Sequence, residues 1–139
     1  MSDHESLQTL HTALIDTRNG YEAALKDTDN PDVTPILTRA RELHASAHDD
    51  VHRLLEEGGA APEDEGSLMS TVHEAVIGVR SAVVGLDRGA LSAFARGEES
   101  NLAKYDDAIA AEPRNADFLR RHRSSLAALV EEMKKLAGS

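Results

Sequence analysis

The chain has 139 residues, a net charge of −10 and no cysteine. That length suits one domain with a real core. The charge makes nucleic acid or anionic lipid a poor principal partner, and the missing thiols exclude disulfides, thiolate metal sites and cysteine nucleophiles. With only Tyr21, Phe94, Tyr105 and Phe118 as aromatics, alanine, leucine and valine must build the core. That composition favours closely packed helices, and no alternating run suggests a sheet. The start of the chain, Met1 to Ser6, is acidic and lacks an apolar signal segment. No stretch approaches the ~18 apolar residues of a membrane span. A soluble cytoplasmic protein is the expectation.

The first segment, about 3 to 27, places Leu7, Leu10, Leu14, Thr17, Tyr21 and Ala24 on one stripe of a helix, with His11, Arg18 and Glu22 on its flank. Ser2 and Glu5 have capping-box spacing. The acids of Asp27-Thr28-Asp29-Asn30-Pro31-Asp32 resemble part of a calcium loop, but the glycine and closing glutamate of such a loop are missing. Turn and cap chemistry explains them better.

The second segment, about 35 to 57, opens with Thr34 as N-cap and Pro35 in the first turn. Ile36, Ala40, Leu43, Ala47, Val51 and Leu54 face inward. His44, His48 and His52 lie four apart, a spacing able to chelate a transition metal. The stripe separates them, however, with His44 towards the core, His48 at its edge and His52 mostly outward, so unrelated histidines are the preferred reading. Gly58-Gly59 stops the helix.

After the loop to Gly66, Ser67 caps a third segment, about 68 to 86. It is apolar over a wide arc (Leu68, Val72, Val76, Ile77, Val79, Val83, Val84), interrupted mainly by His73, Glu74 and Arg80. A helix this apolar is expected to be covered on two sides, by the bundle and by a second copy of the chain or another protein.

Asp87 caps the fourth segment, about 88 to 111, whose stripe is Leu91, Phe94, Ala95, Leu102, Tyr105 and Ile109. Glu98 falls in the middle of that stripe, where a carboxylate is costly unless compensated. A short turn at Pro113 leads to Asn115 as cap of the fifth segment, about 116 to 136. There Phe118, Leu119, Leu126, Leu129, Val130 and Met133 face inward, together with His122.

Tyr21-Glu22-Ala23-Ala24-Leu25 followed by a proline turn recurs as Tyr105-Asp106-Asp107-Ala108-Ile109 followed by another. The chain therefore reads as two antiparallel hairpins. The third segment, about 30 Å long, crosses between them. That is an all-α, ferritin-like four-helix bundle. Counting from the turns places Arg18 and His44 on one level, near Glu98 at mid-height, and Tyr105, His122 and His11 on another. The expectation is two buried polar layers: Glu98 compensated by Arg18, His44 or both, and a Tyr105–His122 hydrogen bond passing near His11.

Gly20-Tyr21, the loop ending Gly66-Ser67, His73, and Gly97-Glu98-Glu99 followed by Tyr105 give the chain its resemblance to a bacterial ferritin-like family of unknown function. The resemblance covers nearly the whole chain and implies a ferritin-like bundle without an established activity. Working ferritin-like di-metal sites take a glutamate from each of two helices and Glu-x-x-His from each of the other two. Glu98 matches one glutamate and His48 one histidine, but Ala45 stands in the preceding glutamate position. Ala128, Leu129 and Val130 occupy the Glu98 level of the last segment.

No cofactor is expected, and Arg18 further disfavours a dication beside Glu98. A non-catalytic protein that works by association, as a homodimer through the third segment or with another protein, is the first reading. The alternative is an iron, manganese or zinc protein with oxidase-type chemistry using Glu98, His44 and His48. No nucleophile–base pair, phosphate-binding glycine loop or dinucleotide fingerprint is present.

Overall fold

The computed structural model describes residues 5–28, 30–59 and 90–138. Within them lie four α-helices and no strand: α1 (Glu5–Asp27), α2 (Thr34–Glu57), α3 (Ala90–Ala111) and α4 (Ala116–Gly138). A 3₁₀ turn at Pro113–Asn115 leads into α4. The apolar third segment with its expected cap Ser67, the expected cap Asp87 of the fourth segment, the Ser2 cap, His73 and the Asn115 side chain lie outside the described residues.

Each helix packs against two others. The hairpins α1–α2 and α3–α4 join side by side through α1–α3 and α2–α4. Polar contacts give the directions. Tyr21 meets Glu98 while Thr17 meets Asn101, so α1 and α3 are antiparallel. Arg39 meets Glu132 while Asp50 meets His122, so α2 and α4 are antiparallel as well. The end of α2 and the start of α3 therefore lie at opposite ends of the bundle, and the two hairpin turns point in opposite directions.

The hydrophobic interior follows the 3.6-residue period. Leu7, Leu10, Leu14 and Tyr21 of α1 pack with Leu37 and Leu55 of α2, Leu91 and Tyr105 of α3, and Leu119 and Leu126 of α4. In α2 the buried face is turned slightly from the expected one. Leu37, His44, His48 and Leu55 are buried, whereas Leu43 and Leu54 are only partly so. Ile15 and Asp16 are buried too, beyond the expected α1 stripe, so that helix is covered on more than one side.

The turn between α1 and α2 is organised by Asn30 rather than capped by Thr34. The Asn30 carbonyl accepts from the backbone N–H groups of Val33 and Thr34, and its side-chain oxygen accepts from Asp32 N–H at 2.8 Å. Thr34 is already helical and Val33, the residue before it, provides no side-chain cap. This is Asx-turn chemistry, in which a short amide stands in for a backbone turn. At the other end of α2, Gly58 and Gly59 donate back to Leu54 and Glu56. Gly59 has φ +84°, a left-handed conformation that glycine adopts without Cβ strain.

Candidate functional site

Glu98 is 1 % exposed, and both of its carboxylate oxygens are occupied. Oε2 accepts from the Tyr21 hydroxyl at 2.6 Å and from His44 Nε2 at 2.6 Å. Oε1 accepts from Asn101 Nδ2 at 2.7 Å, and the same amide reaches Thr17 Oγ1 at 3.1 Å. Three helices thus converge on one carboxylate: α1 through Tyr21 and Thr17, α2 through His44, and α3 through Glu98 and Asn101. The Tyr21 ring lies near-parallel to both Phe94 and His44, with centroids 5.1 and 5.8 Å away. Burial pushes the Glu98 carboxyl up. The His44 imidazole and the hydrogen bonds from His44, Tyr21 and Asn101 outweigh that and hold it below the ordinary carboxylate range.

Thr17 and Tyr21, four residues apart on α1, share the side facing α3. Arg18 is turned 100° from Thr17 and misses it. The expected Arg18–Glu98 pairing is therefore not formed. Arg18 lies 3.8 Å from Glu22 on its own helix and donates to Asn19 at 3.4 Å, with its side chain 29 % exposed. The expectation was right about height along the bundle and wrong about azimuth. Asn101, three residues from Glu98, and Tyr21, a member of the apolar stripe, supply contacts beyond the expected ones. Gly97 is exposed, and a Cβ there would meet nothing within 4 Å, so packing does not require a glycine beside Glu98.

The second expected layer is dispersed. His122 Nε2 faces Asp50 Oδ2 at 2.8 Å across the α2–α4 boundary, with Phe118 edge-on to its ring. Tyr105 is wholly buried, yet its hydroxyl has no hydrogen-bond partner among the described residues. Burial, and then the charges of Glu98 and Asp50, push that phenol well above its ordinary range. His11 instead joins His48 and His52, giving ring centroids 4.5 to 5.6 Å apart.

The internal repeat explains the stranded hydroxyl. Tyr21 and Tyr105 are offset by 84 residues, as are the hydrogen-bonded pair Thr17 and Asn101. The carbonyls of Ala24 and Ala108, with the same offset, close the two helix ends in the same way, accepting from Thr28 and Glu112 N–H. Thr17 and Asn101 meet as equivalents do beside a two-fold axis. By that offset the counterpart of Glu98 is Leu14, a buried apolar residue. Tyr21 has an acid to donate to, and Tyr105 has none among the described residues.

The Glu98 knot does not fit the di-metal centre that a ferritin-like fold implies. Such a centre needs several carboxylates and two histidines, whereas among the described residues one carboxylate meets one imidazole. Hydrogen bonds already occupy Oε1, Oε2 and Nε2. His48 is directed to the histidine cluster rather than to Glu98, so the set Glu98, His44 and His48 is not brought together as one ligand shell. Among the described residues no helix is long and apolar enough to cross a membrane.

The profile of a family described as "Domain of unknown function (DUF2383)" matches residues 3–111. No curated protein and no solved structure is matched.

Proposed function

The chain belongs to the DUF2383 family, and from that premise we propose that it is a ferritin-like helical bundle working by association, with no catalytic di-metal centre. The observation supporting this reading is the saturation of Glu98. Its two oxygens accept three hydrogen bonds from Tyr21, His44 and Asn101, leaving a register lock between hairpins in the place where relatives of this architecture hold metal. A buried polar group satisfied on all sides specifies one packing arrangement, because shifting α3 by one turn would strand several partners at once. Oxidase-type chemistry at this level would need further carboxylates, and Ala45, Ala128, Leu129 and Val130 supply none.

The segment that would associate is the apolar sequence from Leu68 to Val84, whose composition suits burial against a second copy of the chain. Sedimentation equilibrium across the micromolar range, together with ferrous-iron titration, tests the reading. A concentration-dependent dimer weakened by Val76→Glu or Val83→Glu, with no iron oxidation that depends on Glu98, is expected. A strict monomer, or stoichiometric iron lost on Glu98→Ala, overturns it.

A further inference from the structure

We propose that His11, His48 and His52 form a binding site for a divalent transition cation of the zinc class, separate from the Glu98 knot. One ring nitrogen from each lies within 4.8 Å of the others. His11 and His48 are buried, and the His52 side chain is 23 % exposed. The site spans two helices. His48 and His52 are one turn apart on α2 and project side by side, while His11 approaches from α1 with Nε2 at 3.0 Å from His52 Nδ1.

Coordination would need little rearrangement. Metal–imidazole bonds of ~2.0–2.1 Å place tetrahedral nitrogens about 3.3 Å apart, and the observed spacing lies within a ring rotation of that value. Imidazole sets suit zinc, copper, nickel or iron rather than magnesium or calcium, which prefer oxygen.

The surroundings favour the same assignment. His48 Nδ1 lies 3.3 Å from Asp49 Oδ1, and His52 Nε2 lies 3.7 Å from Glu56 Oε1. At His48 the carboxylate lies within hydrogen-bonding distance of one ring nitrogen, which fixes the tautomer and leaves the other as a lone-pair donor, as behind many metal-bound histidines. At His48 that other nitrogen, Nε2, is buried and without a hydrogen-bond partner among the described residues. Burial pushes His48 down, more than the neighbouring Asp49 carboxylate raises it, which favours the neutral ring that a metal requires. Arg18 and His52 are the nearby positive groups that oppose a charge on His48, and Arg18 lies 3.8 Å from Glu22. Three protein ligands leave one position for water or another donor.

His11 lies near the start of α1 and His52 near the end of α2, so a cation there would clip the open end of the first hairpin, opposite its turn. His44, one turn before His48, is committed to Glu98 and takes no part.

Titration of the tag-free chain with Co²⁺, followed by visible absorption, tests the proposal. It should show one saturable ion per chain with the intense bands of a four- or five-coordinate site, displaced by Zn²⁺. His11→Gln, His48→Gln and His52→Gln should each weaken binding by about tenfold or more, with His122→Gln unchanged. Circular dichroism checks each variant for helix, and His52, the most exposed of the three, provides a substitution at the edge of the core. On the unaltered chain, Zn²⁺ should shift the ring-nitrogen resonances of these three histidines and not that of His44. Absence of a saturable ion, or a His11→Gln variant binding as tightly as the parent, would overturn the site, the latter reducing it to an ordinary histidine pair on one helix.

Discussion

Tyr21 on α1 donates its hydroxyl to Glu98 on α3 over 2.6 Å, across 77 residues of chain and between the two hairpins. The contact matters because Glu98 accepts from two further partners at once. Removing the carboxylate strands the Tyr21 hydroxyl and the His44 N–H together in a dry interior and leaves the Asn101 amide with Thr17 alone. Glu98→Ala should therefore cost about 3–5 kcal/mol of folding stability. Tyr21→Phe keeps the ring on Phe94 and His44 and removes a single charge-assisted bond, so about 1.5–3 kcal/mol is expected. Urea unfolding of both variants checks the ordering, and a loss below about 1 kcal/mol for Glu98→Ala would show that water, not protein, solvates the carboxylate.

The equivalent substitution in the second hairpin should behave differently. Tyr105 sits where Tyr21 sits by the internal repeat, but Leu14 stands in the position corresponding to Glu98. Tyr105→Phe deletes a buried hydroxyl that makes no hydrogen bond among the described residues. Stability should stay level or rise by up to about 1 kcal/mol. If Tyr105→Phe proved as damaging as Tyr21→Phe, the asymmetry between the hairpins would be refuted.

That contrast also shows what periodicity reveals and what it hides. The four described helices, the hairpin pairing and the buried place of Glu98 follow from apolar spacing and turn residues, which report height along a helix well. Azimuth is less secure, because a one-residue difference turns a side chain by 100° and neighbouring positions compete for the same face. Thr17 and Arg18 are adjacent, yet only Thr17 reaches α3. By helical period alone His52 points outward and His11 lies on a flank. They meet because α1 and α2 lie close enough for both flanks to share one cleft, a tertiary fact that neither helix carries alone. Asp16 is buried although nothing in the α1 pattern marks its side as covered.

Acid should weaken the fold through Glu98. Its folded pKa lies below the ordinary 4.5, with burial opposing and the His44 and hydrogen-bond contributions prevailing. A depressed carboxyl stabilises the folded state above its unfolded pKa, and that stabilisation is lost as pH falls through the folded value. Chemical denaturation at a series of pH values should show the parent losing stability below about 4.5, with Glu98→Gln markedly flatter over the same window. Parallel curves for the two proteins would assign the acid sensitivity to other groups.

Asp16 should act in the opposite sense. It is 6 % exposed, and neither carboxylate oxygen has a hydrogen-bond partner among the described residues. Burial raises its pKa above the ordinary 3.8. Between the unfolded and folded values the native state holds the extra proton, so stability falls as pH rises through that window, and the full cost persists at neutral pH. Asp16→Asn removes the buried charge at nearly constant shape. The variant should be more stable than the parent by about 1 kcal/mol at pH 7, and the advantage should fade as pH drops towards 3.8. Thermal unfolding at both pH values decides it. A destabilised Asp16→Asn would mean that the charge, rather than its absence, is what the surrounding structure accommodates.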